Sequence, residues 1–287
     1  CCIAACWRDG AANTMASRVV PVLMYHHISP SPGLVTVSPD HFAAQMHWLK
    51  RHGYTTLTLD ALAGFLAGEP VPDKSVVITF DDGYVDNWVH AHPVLEATGL
   101  HAVLFVITRW LTDGPVRHHA GQAAPLPPCL AHNASKTAID AGQHDLVMMR
   151  WSEVHAARDA GTFEFHSHTH THTRWDKVYP GDAENKMQAL AHDLANSRRT
   201  LSERLGQASR HLCWPQGYFD DDYLHVAKSA GFDHLYTTRP GVIHPGDAQD
   251  CLARIVVKDK GLGWFAPRLW AYRQPGLANW YLSRKSS

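Results

Sequence analysis

Two adjacent carboxylates, Asp81 and Asp82, stand in the run Thr79 to Gly83, where the apolar stretch Val76 to Phe80 runs out into a turn. A stretch that apolar reads as a buried parallel strand, and the C-terminal ends of such strands form the functional face of an α/β barrel. The pair is therefore expected at a ligand site. A helix cap or a turn residue before Gly83 accounts for one of the two carboxylates but not for both. The second concentration is histidine, with positions 166, 168, 170 and 172 at or just beyond the end of the strand-like Thr162 to His166. In an extended chain all four share one face, whereas a helical turn pairs residues four apart, His168 with His172 or His166 with His170. Either arrangement can take up a divalent metal. Two imidazoles and one carboxylate leave positions on the ion open for water and substrate, which marks a catalytic site rather than a structural one. Such an ion lowers the pKa of its water toward about 7, and a second carboxylate beside the ligand can then act as general base. Each aspartate thereby has a task.

The frame that must position these groups is legible in the periodicity. Val19 to Tyr25 is a short apolar strand, Phe42 to Gly53 an amphipathic helix, Tyr54 to Leu59 a β-branched strand, and Asp60 to Gly68 a helix with Asp60 as its expected cap. Strand Val76 to Phe80 follows, then a helix from Tyr84 to Thr98 closed by Gly99, and the fully apolar strand Ala102 to Ile107. After an interruption come helix Trp151 to Gly161, strand Thr162 to His166 and a long helix from Ala183 to Leu205. Strand His211 to Pro215, helix Asp221 to Gly231 and strand His234 to Thr238 complete the pattern. About seven strands, each followed by a helix and none by a GxGxxG or P-loop, imply one α/β domain. Its expected form is a single distorted barrel of the (β/α)7 type, not an open doubly wound sheet.

The 287 residues are 45% hydrophobic and 18% charged, enough for one sizeable core. Because 26 Lys and Arg balance 27 Asp and Glu, the positive field of a nucleic-acid binder is missing and no such partner is expected. No apolar run approaches the roughly 20 residues of a transmembrane helix. Histidine is the outlier, at 22 residues. Three of the six cysteines fall in the first six positions, and Cys129, Cys213 and Cys251 show no CxxC spacing, so no disulfide framework is indicated. Residues 1–14 are set aside as an N-terminal appendage, since Met15 begins a segment that runs straight into the first strand. An acylated Cys1 is the competing reading. A cytoplasmic or membrane-peripheral location is expected ahead of a periplasmic one.

Two stretches stand outside the alternation. Residues 113–147, rich in Pro, Gly and His, are too long for an ordinary connection and are expected to form a lid or loose insertion bordering the site. The tail 260–287 has no carboxylate side chain and carries Lys260, Arg268, Arg273, Arg284 and Lys285 among Trp264, Phe265, Trp270, Tyr272, Trp280 and Tyr281. It either packs against the barrel or makes peripheral contact with an anionic membrane surface.

Thr79 to Gly83, the histidine run and Cys213 to Phe219 together resemble the polysaccharide deacetylases of carbohydrate esterase family four, the NodB homology group. The resemblance implies that Asp81 is the catalytic base and Asp82 a metal ligand. It also implies that an H(S/T)xxH motif supplies His168 and His172, with Ser167 and Thr169 as matching flanks; His166 and His170 offer the same spacing in another register. Cys213 to Phe219 is similar to the family's aromatic-Pro-aromatic-Gly turn, with Gln216 replacing the aromatic. That implies a catalytic part for Gln216 through its backbone N–H, aimed at an oxyanion. Leu23 to Ile28 carries a tyrosine-histidine pair that resembles the poly-N-acetylglucosamine deacetylase branch, whose motifs are circularly permuted relative to the classical enzymes. His26 is thereby implied as the general acid for the leaving amine, with His27 as its neighbour. Arg254 resembles the family arginine that orients the catalytic carboxylate; a surface salt bridge is its alternative.

The resemblance implies a NodB-like barrel domain over 15–259 and a divalent metal, zinc first and nickel or cobalt next. The implied reaction removes acetyl groups from N-acetylated amino sugars of a polysaccharide or of a lipid-linked glycan, as in lipopolysaccharide assembly. An acetyl-ester or cyclic-amide hydrolase using the same site, or an inactive glycan-binding barrel, are the competing expectations.

Overall fold

The computed structural model describes residues 17–274 and 276–278. Among them the strands are β1 (Val22–Tyr25), β2 (His27–Ile28), β3 (Thr36–Val37), β4 (Thr55–Thr56), β5 (Ser75–Asp82), β6 (Ala102–Val106), β7 (Phe163–Ser167), β8 (His211–Cys213), β9 (His234–Tyr236) and β10 (Ile255–Val256). β2 and β3 pair with each other, and the remainder form an eight-stranded parallel sheet ordered β10-β1-β5-β6-β7-β8-β9, with β4 beside β5. Past β9 the chain turns back so that Leu252 bridges to Tyr236 and Ile255 pairs with Leu23. Both edges of the sheet thus meet one segment, which curls it into the expected (β/α) barrel.

β5 decides where the site lies. All eight of its residues are buried, because successive side chains enter different cores. Val76, Ile78 and Phe80 pack outward with Trp88, Leu95 and Phe163, whereas Val77 joins Val103, Phe105, Cys213 and Tyr236 inside the barrel. The same alternation sends Asp81 inward, where a carboxylate persists only if a buried cation meets it.

Several expectations change. Only Thr55–Thr56 remains of the strand expected over 54–59, because Thr58 leaves it to cap the next helix, accepting from the Ala61 N–H at 3.2 Å. Asp60, the expected cap, lies in the first turn instead. The helix expected from Tyr84 widens into a π-helical turn over Asn87–Ala91 and is α-helical again over His92–Thr98. Its start is tied to the strand-β1 exit: the Ile28 N–H donates to Asp86 at 3.2 Å and Asn87 Nδ2 donates to the His26 carbonyl at 2.7 Å.

Residues 113–147 are not a loose loop. They contain the helices His132–Asp140 and His144–Val147, and Arg117 pairs at 2.7 Å with the fully buried Glu153 of the helix Trp151–Asp159. In the tail, the helix Leu262–Tyr272 buries Phe265, Leu269 and Tyr272 against the barrel and leaves Trp270 exposed. Trp280, Tyr281, Arg284, Lys285 and the appendage 1–14 lie outside the described residues. Among the described residues no helix is long and apolar enough to cross a membrane.

Candidate active site

Parallel strands deliver their C-terminal ends to one face, and the candidate side chains gather there. Asp81 and Asp82 end β5, His26 follows β1, His168 follows β7, and Gln216 lies just beyond β8. With His172 they line a pocket of about 250 Å³, to which Tyr84, Trp110, His132 and Lys136 also contribute. Asp82 has a φ of 77°, Thr169 67°, His172 59° and Gln216 57°. Left-handed backbone is costly for residues with a Cβ, so its recurrence around one pocket means that tertiary contacts hold the chain there.

The turn at Asp82 points its Oδ1 toward two imidazoles, His168 Nε2 at 3.4 Å and His172 Nε2 at 3.8 Å. His168 Nδ1 donates to the Cys213 carbonyl at 2.8 Å, which leaves Nε2 to face the carboxylate; burial works to lower this imidazole, but Cys213 and the bond to Asp82 hold it well above its ordinary value, so a cation bound here takes the place of a proton. Burial and then the neighbouring His168 bring His172 down to about 4, so its ring presents a free lone pair at neutral pH. Burial alone would raise the Asp82 carboxyl, but the hydrogen bond from His168, with the other imidazoles around it, holds it well below the usual range. One carboxylate oxygen and two imidazole nitrogens within 4.8 Å of one another make a donor set that fits a divalent metal.

The loop that carries His172 is clamped from the long helix Ala183–Leu205. Asp193 accepts from the N–H groups of His170 and Thr171 at 3.1 and 2.9 Å and from Trp175 Nε1 at 3.2 Å. The other two histidines of the run go elsewhere. His166 Nδ1 meets Ser209 Oγ, and His170 Nδ1 meets Thr108 Oγ1, each at 2.8 Å. The structure brings Asp82 together with His168 and His172, and not with His166 and His170.

Asp81 is held by Arg254 through two parallel bonds of 2.7 and 2.8 Å. Arg254 is wholly buried and is itself fixed by the Thr237 carbonyl at 2.9 Å and Thr79 Oγ1 at 3.2 Å, so the surface salt bridge is not what this arginine makes. Burial works to raise the Asp81 carboxyl, yet Arg254 outweighs it and keeps the group below its ordinary value, ionised. Cys213 lies 3.8 Å from both carboxylate oxygens, and burial pushes its thiol up. The alternative donor group Asp81, His168 and Cys213 is thus committed to Arg254 and to a protonated thiol, and suits a cation less well. His26 Nε2 sits 3.7 Å from Asp81 Oδ2, its imidazole lowered first by burial. Gln216 occupies the middle of the turn Pro215–Gly217, and its side chain accepts from Arg174 at 3.3 Å. The turn requires glycine next, since a Cβ on Gly217 would fall 2.2 Å from Thr238 Oγ1 at a φ of 69°.

A family model for polysaccharide deacetylases matches residues 68–235. The chain belongs to the polysaccharide deacetylase family. It is an enzyme, a hydrolase acting on non-peptide C–N bonds. Its sequence is 28% identical over 239 residues to the Bacillus subtilis protein YxkH, covering 83% of this chain and 71% of that one. It is 25% identical over 225 residues to the poly-beta-1,6-N-acetyl-D-glucosamine N-deacetylase of Staphylococcus aureus, covering 78% of this chain and 68% of the relative. The structure of IcaB from Ammonifex degensii superposes with a TM-score of 0.68 at 25% identity, over 90% of this chain and 98% of that chain.

Three residues that support or line this deacetylase site lie outside the family motifs. Asp193 shares the buried stripe of its helix with Leu190, Leu194, Ser197 and Leu201, and an acid on an apolar stripe is a signal the sequence does offer. His132 and Lys136 come from the stretch expected to border the site, but without clear periodicity nothing there singles out individual residues.

Proposed function

We propose that this polysaccharide deacetylase removes acetyl groups from N-acetylated amino sugars of a glycan, polymeric or lipid-linked, with a divalent metal at Asp82, His168 and His172. The observation that carries the reading is the convergence in one pocket of that donor set, an ionised Asp81 and His26. A bound ion supplies Lewis acidity and lowers the pKa of a water toward about 7, zinc being the first candidate and nickel or cobalt able to use the same donors.

Asp81 takes the proton from the attacking water, its carboxylate fixed in one orientation by the Arg254 fork. The backbone N–H of Gln216, turned by its positive φ, donates to the oxyanion that develops on the acetamide carbonyl. His26 gives a proton to the departing amine; its Nε2 lies 3.7 Å from Asp81 Oδ2, so the two close to hydrogen-bond distance before the water's proton passes from one to the other. Arg254 keeps its charge throughout. The activity carried by the name of the Staphylococcus aureus relative supports a β-1,6-linked N-acetylglucosamine polymer as the first substrate to try.

Acetate release from oligomers of β-1,6-linked and of β-1,4-linked N-acetylglucosamine, measured with and without a chelator, tests the reading. Release from at least one of them, abolished by chelation and restored by added metal, is expected. A purified protein that carries metal yet releases no acetate from any N-acetylated oligosaccharide overturns it.

A further inference from the structure

Three observations beyond the constellation above meet at one side chain. First, the helix His132–Asp140 supplies part of the pocket wall, with His132 and Lys136 one turn apart. Second, His132 Nδ1 lies 3.2 Å from His27 Nε2, and His27 Nδ1 lies 2.6 Å from Asp86 Oδ2. His27 and Asp86 are 1% and 2% exposed, and Asp86 Oδ1 is satisfied by the Ile28 N–H and by Asn87 Nδ2 at 3.2 and 3.0 Å. Third, the segment around His132 is docked twice more on the strand-β2 exit, where Ser29 and Ser31 donate to the Cys129 carbonyl at 3.4 and 3.1 Å.

A carboxylate and an imidazole buried this deeply cost desolvation energy, and packing alone would be served better by apolar residues. What the pair does geometrically is fix the next ring. The His27 ring stacks on Tyr84 at 3.8 Å, so it cannot swing, and its Nε2 holds His132 by Nδ1. Among the described residues the other nitrogen of His132, Nε2, has no hydrogen-bond partner, and the ring is half-buried at the pocket. An imidazole nitrogen on a fixed ring in the pocket wall matches a sugar hydroxyl or an acetamide in either polarity.

We propose that His132 is a substrate-binding residue that hydrogen-bonds the N-acetylated sugar through Nε2, and that His27 and Asp86 are positioning residues that hold its ring. The inference rests on the glycan reading above and adds a residue to it. The segment 113–147 is thereby part of the substrate site rather than a cover over it. Asp86 holds His27 in the tautomer or charge state that engages His132, and burial of the pair keeps water from competing for that bond.

Steady-state kinetics on an N-acetylglucosamine pentamer test the proposal, comparing wild type with His132→Ala, His132→Asn, His27→Gln and the double variant His27→Gln/His132→Ala. The expected result for His132→Ala is a KM raised about tenfold with kcat within about threefold, the signature of a lost ground-state hydrogen bond. His132→Asn should recover part of the loss, because its amide can replace the bond. His27→Gln should raise KM less and add nothing in the His132→Ala background, as expected for a residue acting through His132. An unchanged KM in His132→Ala overturns the proposal, as does additivity in the double variant or a fall in kcat that tracks a lower melting temperature. If His27→Gln does not fold, the pair His132→Ala and His132→Asn decides. A wild type inert on every N-acetylated oligosaccharide overturns the glycan reading and this inference with it, whereas an active wild type matched by His132→Ala overturns the inference alone.

Discussion

At the C-terminal mouth of the barrel His168 and His172 turn their Nε2 atoms toward Asp82, whereas lower down His211, the first residue of β8, packs its ring between those of His166 and of His234, the first residue of β9, 4.9 and 4.8 Å away. Beside this lower group Glu164 lies 3.5 Å from both His101 and His166 and accepts from the Leu59 N–H at 2.6 Å, so its charge serves the start of a helix. The upper rings share one carboxylate oxygen and open on a pocket. The lower ones leave Nε2 of His166 and His234 buried without a hydrogen-bond partner, and burial with His166 and His234 nearby drives His211 down to about 2. Two groups built from one residue type therefore differ in kind. The direction of Nε2 and access to a cavity separate a candidate metal site from a polar plug, and the number of histidines does not.

The contrast breaks most readily through the metal. His168→Ala is expected to lose the bound ion and to fall below detectable deacetylation, while His166→Ala, two residues away, keeps its metal stoichiometry and a kcat within about twofold of wild type. Elemental analysis of both purified variants reads this directly, and metal loss in His166→Ala would merge the two groups. Next in size, Asp81→Asn should lower kcat by about a thousandfold or more with metal retained. It should also cost about 3 kcal/mol of stability, because Arg254 stays buried opposite a neutral partner. Denaturant unfolding measures that cost, and a variant as stable as wild type would contradict the buried pair as described.

His26→Ala is expected to reduce kcat by about two to four orders of magnitude without changing metal content. A loss confined to KM would move His26 from proton donor to binding residue. The smallest effect belongs to the lower group and concerns pH. His211 is held at about 2 in the folded protein against an ordinary 6.5, so between those values the unfolded chain binds a proton that the folded chain refuses. Stability is then lost as pH falls below about 6.5, by at most about 1.4 kcal/mol per pH unit from this group. His211→Leu should flatten the fall in melting temperature between pH 6.5 and 4.5 and leave activity at neutral pH in place. An unaltered slope would mean that His211 is not the group refusing the proton.

Much of the frame was legible because it is local. Alternating apolar strands and helices place β5, β6 and the long helix Ala183–Leu205, where Asp182 caps and Gly206 ends the helix in the left-handed conformation. Less legible were the ends of elements, where neighbours compete: Thr58 displaces Asp60 as a cap, and the helix after Gly83 carries a π turn beside the bonds of Asp86 and Asn87 to Ile28 and His26. The stretch 113–147 read as loose because its helices are short and lack an apolar stripe long enough to register. What holds it is long-range: the ion pair of Arg117 with Glu153 and the bonds of Ser29, Ser31 and His27 to Cys129 and His132.

The sequence by itself determined that two carboxylates would emerge where a buried parallel strand ends, that histidines would follow another strand, and that parallel connectivity would carry both to one face. These follow from side-chain periodicity and from the direction of parallel strands, which are properties of neighbouring residues. Only the tertiary structure decided which histidines face Asp82, that Arg254 meets Asp81 across 173 positions, and that Asp193, His27 and Asp86 brace the pocket. The reason is geometric. A run such as His166 to His172 is compatible with several registers, and the choice among them is made by a left-handed turn at Thr169 and by contacts from the helix bearing Asp193, none of which a local pattern encodes.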